Sequence, residues 1–363
     1  MLRVVAPGPM TTLQDGGRIG HQRFGIPVSN AMDPVALAAA NLLVGNPRGT
    51  AALEIAYLGP TLRVEAESVR FACAGGTATI EVLDADGEAP PRKIAPLTSV
   101  RLTRGQSLRI GGLSGSIVGY LAVAGGFDVV PFLGSKATFV RGGLGGFCGR
   151  ALQAGDLLPL AAPFAPPRDE LMLAALDVAA PSRVRVVLGP QDDYFSEVGL
   201  DTFFGSTFTV SAATDRMGMR LEGPAIAHKD GFNIVSDGIA PGAIQVPGDG
   251  LPIVLLADRQ TTGGYPKIAT VISADLPGLG RLGPGASLSF ERVDIATAVA
   301  ARRALTTMID GLAAKLAPAG GDVDIAARLL DENLVGGFID MHAEPMHADE
   351  QHAVGAAAGE DRG

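Results

Sequence analysis

Lys267 stands two residues after Tyr265, behind the run Thr261-Thr262-Gly263-Gly264 and an apolar stretch over 252–257. A lysine framed by small residues and an apolar strand is a candidate for a partly desolvated ammonium facing a pocket. The same 236–272 stretch carries Gln245, Asp249, Asp258, Arg259 and Gln260 in Gly/Pro-framed loops. Three other segments are as rich in Gly, Asp and Arg. Residues 11–34 cluster Gln14, Asp15, Arg18, His21, Gln22 and Arg23 among glycines. Glycine lets backbone N–H groups approach a ligand, and Arg and Gln offer fixed polar forks. Residues 141–150 hold Arg141 and the glycines Gly142, Gly143, Gly145 and Gly146, a loop able to cradle an anion with its amides. Residues 214–224 place Asp215 and Arg216 close to Glu222.

A plainer reading stands beside each segment. Lys267 is also read as an exposed lysine at a strand start, and 11–34 as an internally bonded turn in which Asp15 pairs Arg18. The 141–150 loop is equally a tight β-corner, since it lacks the Gly-Lys-Ser/Thr ending of a phosphate loop. Asp215 and Arg216 also read as a structural ion pair. The chain contains no HExxH, CxxC or GxSxG. His21 and His228 are the only histidines before residue 342. Chemistry here therefore runs on Asp/Glu, Arg, Lys, Tyr and backbone amides, with no metal site expected.

The elements that must position these residues are mostly short strands broken by glycine. A pattern Leu-x-x-Gly-x-x-Leu-x-apolar recurs at 102–110, 152–160 and 282–290, each a turn feeding a half-buried strand. A Pro/Ala-rich stretch over 161–183, with a helical turn at 169–176, reads as a linker. It divides a first β domain, 1–160, from a second, 184–293. Asp33-Pro34 opens a helix that Gly45 ends, and Asp192 or Asp193 caps a short helix through Val198. An Ala-rich amphipathic helix is expected over 294–317 and a further one near 322–334, giving a helical extension over 294–340. The tail, 341–363, is expected to be disordered, with His342, His347 and His352 solvated rather than bound to metal.

Of 363 residues, 49 are Gly and 25 Pro, which demands many turns, while 47% hydrophobic residues exclude disorder of the whole chain. The net charge of −9 is local: ten acidic and two basic residues lie in 318–363, leaving 28 and 27 in 1–317. A near-neutral body with 5% aromatic residues and no Trp disfavours nucleic-acid binding. Two cysteines, a start lacking an apolar h-region, and no apolar run near 18 residues predict a reduced, cytoplasmic protein without signal peptide or membrane span.

The segments TTLQDGGRIGHQRFGIP, SNAMDP, ANLLVGN, ALEI (52–55), YLAVAGG (120–126), FLGSKATFVRGGLGGFCGRALQAGD (132–156), DRMGMRLEGP and IAPGAIQVPGDGLPIVLLADRQTTGGYPKIATVI resemble the biotin-dependent carboxyltransferase-like family, also called allophanate hydrolase subunit 2. Its members include the carboxyltransferase domain of urea amidolyase and the C subunit of bacterial ATP-dependent 5-oxoprolinase. The resemblance covers residues 3–292. It departs from the family pattern at Asn30, where Gly is usual, and at Asp237, where Glu is usual.

The resemblance implies a mainly β fold of two cyclophilin-like barrel domains, with few short helices and an active site in the cleft between them. Two chemistries belong to the family. A urea-type carboxyltransferase needs biotin on a carrier domain, and the Lys between two Met that marks one is absent here. The chain therefore resembles the 5-oxoprolinase member more closely. That member works with two sister subunits to open a lactam, with ATP shared by the complex and no biotin on the chain. A carboxyltransferase served by a separate biotin protein, and a non-catalytic cyclophilin-like partner that regulates a sister subunit, are the alternatives. Lys267, Arg18 and the amides of Gly142, Gly143, Gly145, Gly146, Gly263 and Gly264 are expected to face the charge that builds on an amide oxygen, with Asp15 or Asp249 orienting them or moving a proton. Gln14, Arg23, Arg141, Asp215, Arg216, Gln245, Gln260, Thr261, Thr262 and Tyr265 are expected to bind the small amide or lactam substrate.

Overall fold

The computed structural model describes residues 1–176, 180–229 and 231–319. In the first half, two antiparallel sheets share one core. One runs, in spatial order, Leu157–Leu158, Leu2–Ala6, Thr61–Val64, Ser107–Ile110, Ile80–Leu83 and Arg92–Ile94; the other runs Met10–Gln14, Ala52–Ala56, Ser114–Val123, Ser68–Thr77 and Ser99–Thr103. Leu2, Val4, Leu62 and Leu108 from the first sheet meet Leu53, Phe71, Leu102 and Leu121 from the second. Alternating inward side chains from both layers make that core, as in sandwiches.

The second half closes into a barrel of seven strands: Arg183–Leu188, Lys267–Val271, Ala243–Gln245, Ile253–Leu255, Gly218–Glu222, Phe208–Val210 and Ser287–Arg292. Arg183–Leu188 and Ser287–Arg292 pair in parallel, which shuts the ring without a free edge. Phe203, Phe208 and Phe290 cluster in its core, where the rings of Phe203 and Phe290 stack 4.5 Å apart and Phe208 lies tilted against both. Of the two barrels that the resemblance implies, closure is thus seen in this half, while the first half is built of two sheets. The architecture is mainly β, with a C-terminal helix.

The recurring glycine pattern has a physical basis. Gly105, Gly155 and Gly285 have φ of 91°, 89° and 84°, a conformation that L side chains rarely adopt. Each turn delivers a buried leucine, Leu108, Leu158 or Leu288, into the strand that follows. The first turn joins strands of different sheets, so it is a corner between layers and not a hairpin.

The Pro34–Val44 helix starts as expected. The Asp33 Oδ1 accepts from the amides of Val35 and Ala36, and Gly45 ends the helix at φ 85°. Its alanine-rich surface packs on the second sheet through Ala36, Ala40 and Leu43. Three local expectations are corrected. The short helix is capped by Ser196, not Asp192 or Asp193, and runs Glu197–Gly205, because Phe203 must reach the barrel core. The C-terminal helix is capped by Asp294; Ile295–Asp310 is α-helical and Gly311–Lys315 adds a tighter 3-10 segment, so helical geometry stops at 315 rather than 317. Beyond it, Leu316–Pro318 leaves helical geometry to pair with Leu171–Leu173. That pairing also makes a strand of the segment expected as a helical turn. The helix near 322–334 and the 341–363 tail lie outside the described residues.

Candidate functional site

A buried polar chain runs between the two halves. Thr12, Glu54 and Tyr120 are direct neighbours across three strands, so their side chains project from one face. Glu54 Oε2 accepts from the Tyr120 hydroxyl at 2.5 Å and from the Met32 amide at 3.0 Å, while Oε1 accepts from Arg216 Nη1. Arg216 comes from the second half. It also donates from Nε and Nη2 to the two oxygens of Asp258, at 3.0 and 3.2 Å, and from Nη2 to the Asn30 carbonyl at 2.9 Å. The Tyr120 hydroxyl accepts in turn from the Asp33 amide, and Asp33 Oδ2 accepts from Arg281 Nε at 2.7 Å. The line Asp258–Arg216–Glu54–Tyr120–Asp33–Arg281 therefore crosses from one half to the other twice.

Burial opposes the Arg216 charge, but the carboxylates of Glu54 and Asp258 outweigh it and hold the guanidinium above its ordinary pKa. Burial, followed by the Glu54 charge, pushes the Tyr120 phenol well above its ordinary value, so Tyr120 stays a donor to Glu54. Buried ions arranged this way add little net stability, yet removing one partner is costly. They bond the two halves to each other.

Above this line opens a cleft of about 300 Å³. Four methionines, Met10, Met32, Met217 and Met219, help make it largely apolar, with Glu54, Arg216 and Asp258 at its polar end. The exposed pair Arg141–Asp215, at 3.0 Å, also lines it. Of the residues singled out from sequence, Arg141, Asp215, Arg216 and Asp258 face this cleft, and both arginines are engaged with carboxylates.

A second polar centre lies in the barrel. Gln245 and Lys267 are register partners on adjacent strands, and each is 2% exposed. Lys267 is therefore not an exposed strand-start lysine. Gln260 Nε2 donates to Gln245 Oε1 at 3.0 Å. Lys267 Nζ, Gln245 Nε2 and Gln260 Oε1 are all buried without a hydrogen-bond partner among the described residues. The carboxylate beside Lys267 is Asp237, at 3.6 Å, beyond hydrogen-bond range. Asp237 and Gly238 pair with Thr262 and Gly263 to form a short ribbon beside the centre. The Gly238 amide, and then the Lys267 charge, lower the Asp237 pKa below its ordinary value. Thr261 contributes its carbonyl, which accepts from the Ile239 amide and from Gln22 Nε2. Gln22 Oε1 accepts from Arg259 Nη2 at 3.2 Å, tying the 11–34 loop to this side of the barrel. Tyr265 is exposed nearby in sequence, and the Gly264 carbonyl accepts from the Ile234 amide.

The remaining residues gather elsewhere. Asp15 does not pair with Arg18: its Oδ1 accepts from Ser135 Oγ and the Gly17 amide, and its Oδ2 from the Lys136 amide. With those bonds it holds two loops together, which argues against a proton-moving role. Arg18 is 1% exposed, donates to the Ala137 carbonyl, and leaves Nε and Nη1 unpartnered among the described residues. Burial lowers its pKa, and the charges of Asp15 and Asp258 offset only part of the effect. Gln14 donates to Thr12 Oγ1 and the Thr138 carbonyl. The glycine loop closes over this cluster; a Cβ on Gly145 would clash with Arg18 Nη2. Gly142 and Gly143 already donate their amides to Phe139 and Val140. Asp249 binds the Leu251 amide in an exposed turn, and Arg23 lies over the Phe24 ring, so neither joins a centre.

Sequence reasoning misses Glu54 and Tyr120. A single acid inside the apolar run AALEIAYLG is the signal that marks Glu54, because a charge in a buried strand requires a partner. Tyr120 carries no such signal; it is identified only by the strand that pairs with Glu54.

With this geometry in hand, the sequence matches the family "Carboxyltransferase domain, subdomain A and B" over residues 24–292, and the chain belongs to that family. It is 37% identical over 319 residues to the C subunit of 5-oxoprolinase from Escherichia coli K12, covering 87% of this chain and 99% of that one. The urea amidolyase of Saccharomyces cerevisiae is 32% identical over 317 residues, 80% of this chain but 16% of its own length. Among solved structures, Kluyveromyces lactis urea carboxylase superposes with a TM-score of 0.76 at 31% identity, over 86% of this chain and 29% of that chain. Among the described residues, no helix is long and apolar enough to cross a membrane.

Proposed function

We propose that the chain is the C subunit of an ATP-dependent 5-oxoprolinase, acting in the cytoplasm with two sister subunits to open the lactam of 5-oxoproline to glutamate. The observation that carries this reading is the match over 99% of the Escherichia coli protein, set against 16% of urea amidolyase. In finer architecture, the two halves are read as cyclophilin-like lobes.

Lactam opening adds water across the C–N bond: the carbonyl carbon gains a hydroxyl and the ring nitrogen leaves with a proton. Negative charge builds on the carbonyl oxygen as water adds. Lys267 Nζ, buried and without an acceptor among the described residues, is the donor suited to that charge in a site of low dielectric. Gln245 Nε2 is a second donor on the same face. Asp237 lies 3.6 Å from the ammonium, outside hydrogen-bond range, and leaves its donors open to the substrate oxygen. Arg216 and Glu54 position the halves rather than touch the reacting atoms.

The glycine loop over 141–150 does not fit a nucleotide phosphate. The amides of Gly142 and Gly143 are bonded within their own turn, and the Gly145 face is filled by Arg18 and the Ala137 carbonyl. ATP is accordingly assigned to the sister subunits, and no step on this chain runs through it.

The test is coexpression with the sister subunits and an assay of ATP-dependent glutamate release from 5-oxoproline. The superposition with urea carboxylase favours a second reading, a carboxyltransferase served by biotin on another protein. A complex that releases no glutamate, yet carboxylates urea when given a biotinylated carrier, establishes that reading instead.

A further inference from the structure

We infer that Gln245 and Gln260 form a paired reader that accepts only amides whose N–H and C=O point the same way, with the Asp237–Gly263 ribbon as its cover. This rests on the reading of Lys267 as an amide-facing cation and assigns the atoms that select its substrate.

Three of the buried atoms without partners, Lys267 Nζ, Gln245 Nε2 and Gln260 Oε1, belong to residues that touch or face one another. A buried polar atom left without a partner is costly. Three in one place describe the shape of an occupant: two donors and one acceptor. The pattern does not depend on which way the amides are turned. One N–H···O bond between two glutamines uses one donor group and one acceptor group, so the pair presents one NH₂ and one oxygen in either orientation.

The complement of that surface is a carbonyl oxygen beside an N–H directed to the same side. A lactam has this arrangement because its ring holds the amide cis. An open-chain secondary amide is trans and directs the two groups oppositely. In the assigned geometry the amide oxygen accepts from Lys267 Nζ and the NH₂ of the pair, and the amide N–H donates to the oxygen of the pair.

The cover is built for this contact. A Cβ at Gly263 would overlap Gln245 Nε2 and lie 2.7 Å from Ile239 Cδ1, so a side chain there would displace the reading amide. On the partner strand of the ribbon, Asp237 is exposed yet 3.6 Å from Lys267 Nζ. Its carboxylate approaches the ammonium without a hydrogen bond, and an incoming carbonyl oxygen takes up the vacant donor.

The experiment uses the full chain assembled with its sister subunits and three probes: 5-oxoproline, N-methyl-5-oxoproline and N-acetylglycine. Binding is read by calorimetry without ATP, and turnover is read separately. The expected result is binding of 5-oxoproline, with affinity about tenfold or more weaker for both other probes, the equivalent of one lost hydrogen bond. In Gln260→Met the three affinities converge, and Gly263→Ala, which displaces the NH₂ that meets the carbonyl oxygen, weakens 5-oxoproline and N-methyl-5-oxoproline alike, both variants still assembling with the sister subunits. Equal affinities in the wild-type complex, discrimination surviving in Gln260→Met, or no binding of any probe overturns the inference. Turnover of 5-oxoproline without discrimination removes the glutamine reader and leaves the proposed function standing. Discrimination without turnover does the reverse.

Discussion

Replacing Arg216 by Met removes the cation that bonds Glu54 and Asp258 together, and its cost follows from what each acid keeps. Glu54 is 4% exposed and retains the Tyr120 hydroxyl and the Met32 amide. Asp258 is 7% exposed and loses both Arg216 contacts. The Asn30 carbonyl also loses a donor. Breaking a buried pair by removing one partner costs about 3–5 kcal/mol, and the stranded Asp258 carboxylate places Arg216→Met in that range. Urea unfolding at pH 7, followed by far-ultraviolet circular dichroism, measures it. Adding Glu54→Gln to Arg216→Met recovers part of the loss. Arg141→Ala breaks an exposed pair, 63% and 50% accessible, and is the control, with about 1 kcal/mol or less at stake. A loss for Arg216→Met no larger than that control refutes the view that this chain of ions fixes the meeting of the two halves.

Two further outcomes follow from local geometry. Gly145→Ala should destabilise by about 2 kcal/mol or more in the same urea assay, because its φ is 65° and a Cβ would clash with the Ala137 carbonyl oxygen; a neutral effect would mean that the loop does not hold Arg18. Of the two thiols, native protein should release only Cys148 to Ellman's reagent, since Cys73 is buried. Burial pushes the Cys73 thiol up from 9.0 to about 12, so between those pH values only the unfolded chain ionises there. Its contribution is fully present below pH 9 and falls by about 1.4 kcal/mol per pH unit above it. Cys73→Ala should remove that slope, and an unchanged alkaline limb would contradict it.

What is legible in the sequence is local. Asp33-Pro34 and Gly45 bracket a helix because capping and positive φ involve only nearby residues, and the recurring glycine turns obey the same rule. Lys267 and its glutamines are also marked, by polar residues set among apolar strand and glycine. What escapes depends on distant partners. Arg18, three residues from Asp15, is the obvious partner in sequence, yet the Asp15 carboxylate is taken by Ser135 and Lys136, more than a hundred residues on. Helical geometry stops at Lys315, two residues before the expected end, because Leu316–Pro318 gains backbone bonds from Leu171–Leu173. Glu54 and Tyr120 meet only through strand register, and no periodicity within either segment encodes that pairing.

The most direct measurement is ATP-dependent glutamate release from 5-oxoproline by the reconstituted complex carrying Lys267→Met. Methionine keeps much of the length and the apolar stem of the side chain while removing the ammonium that is buried without an acceptor. Loss of at least about a hundredfold in kcat, at an unchanged thermal midpoint, is the predicted result. Near-wild-type turnover by a folded, assembled Lys267→Met complex would contradict it.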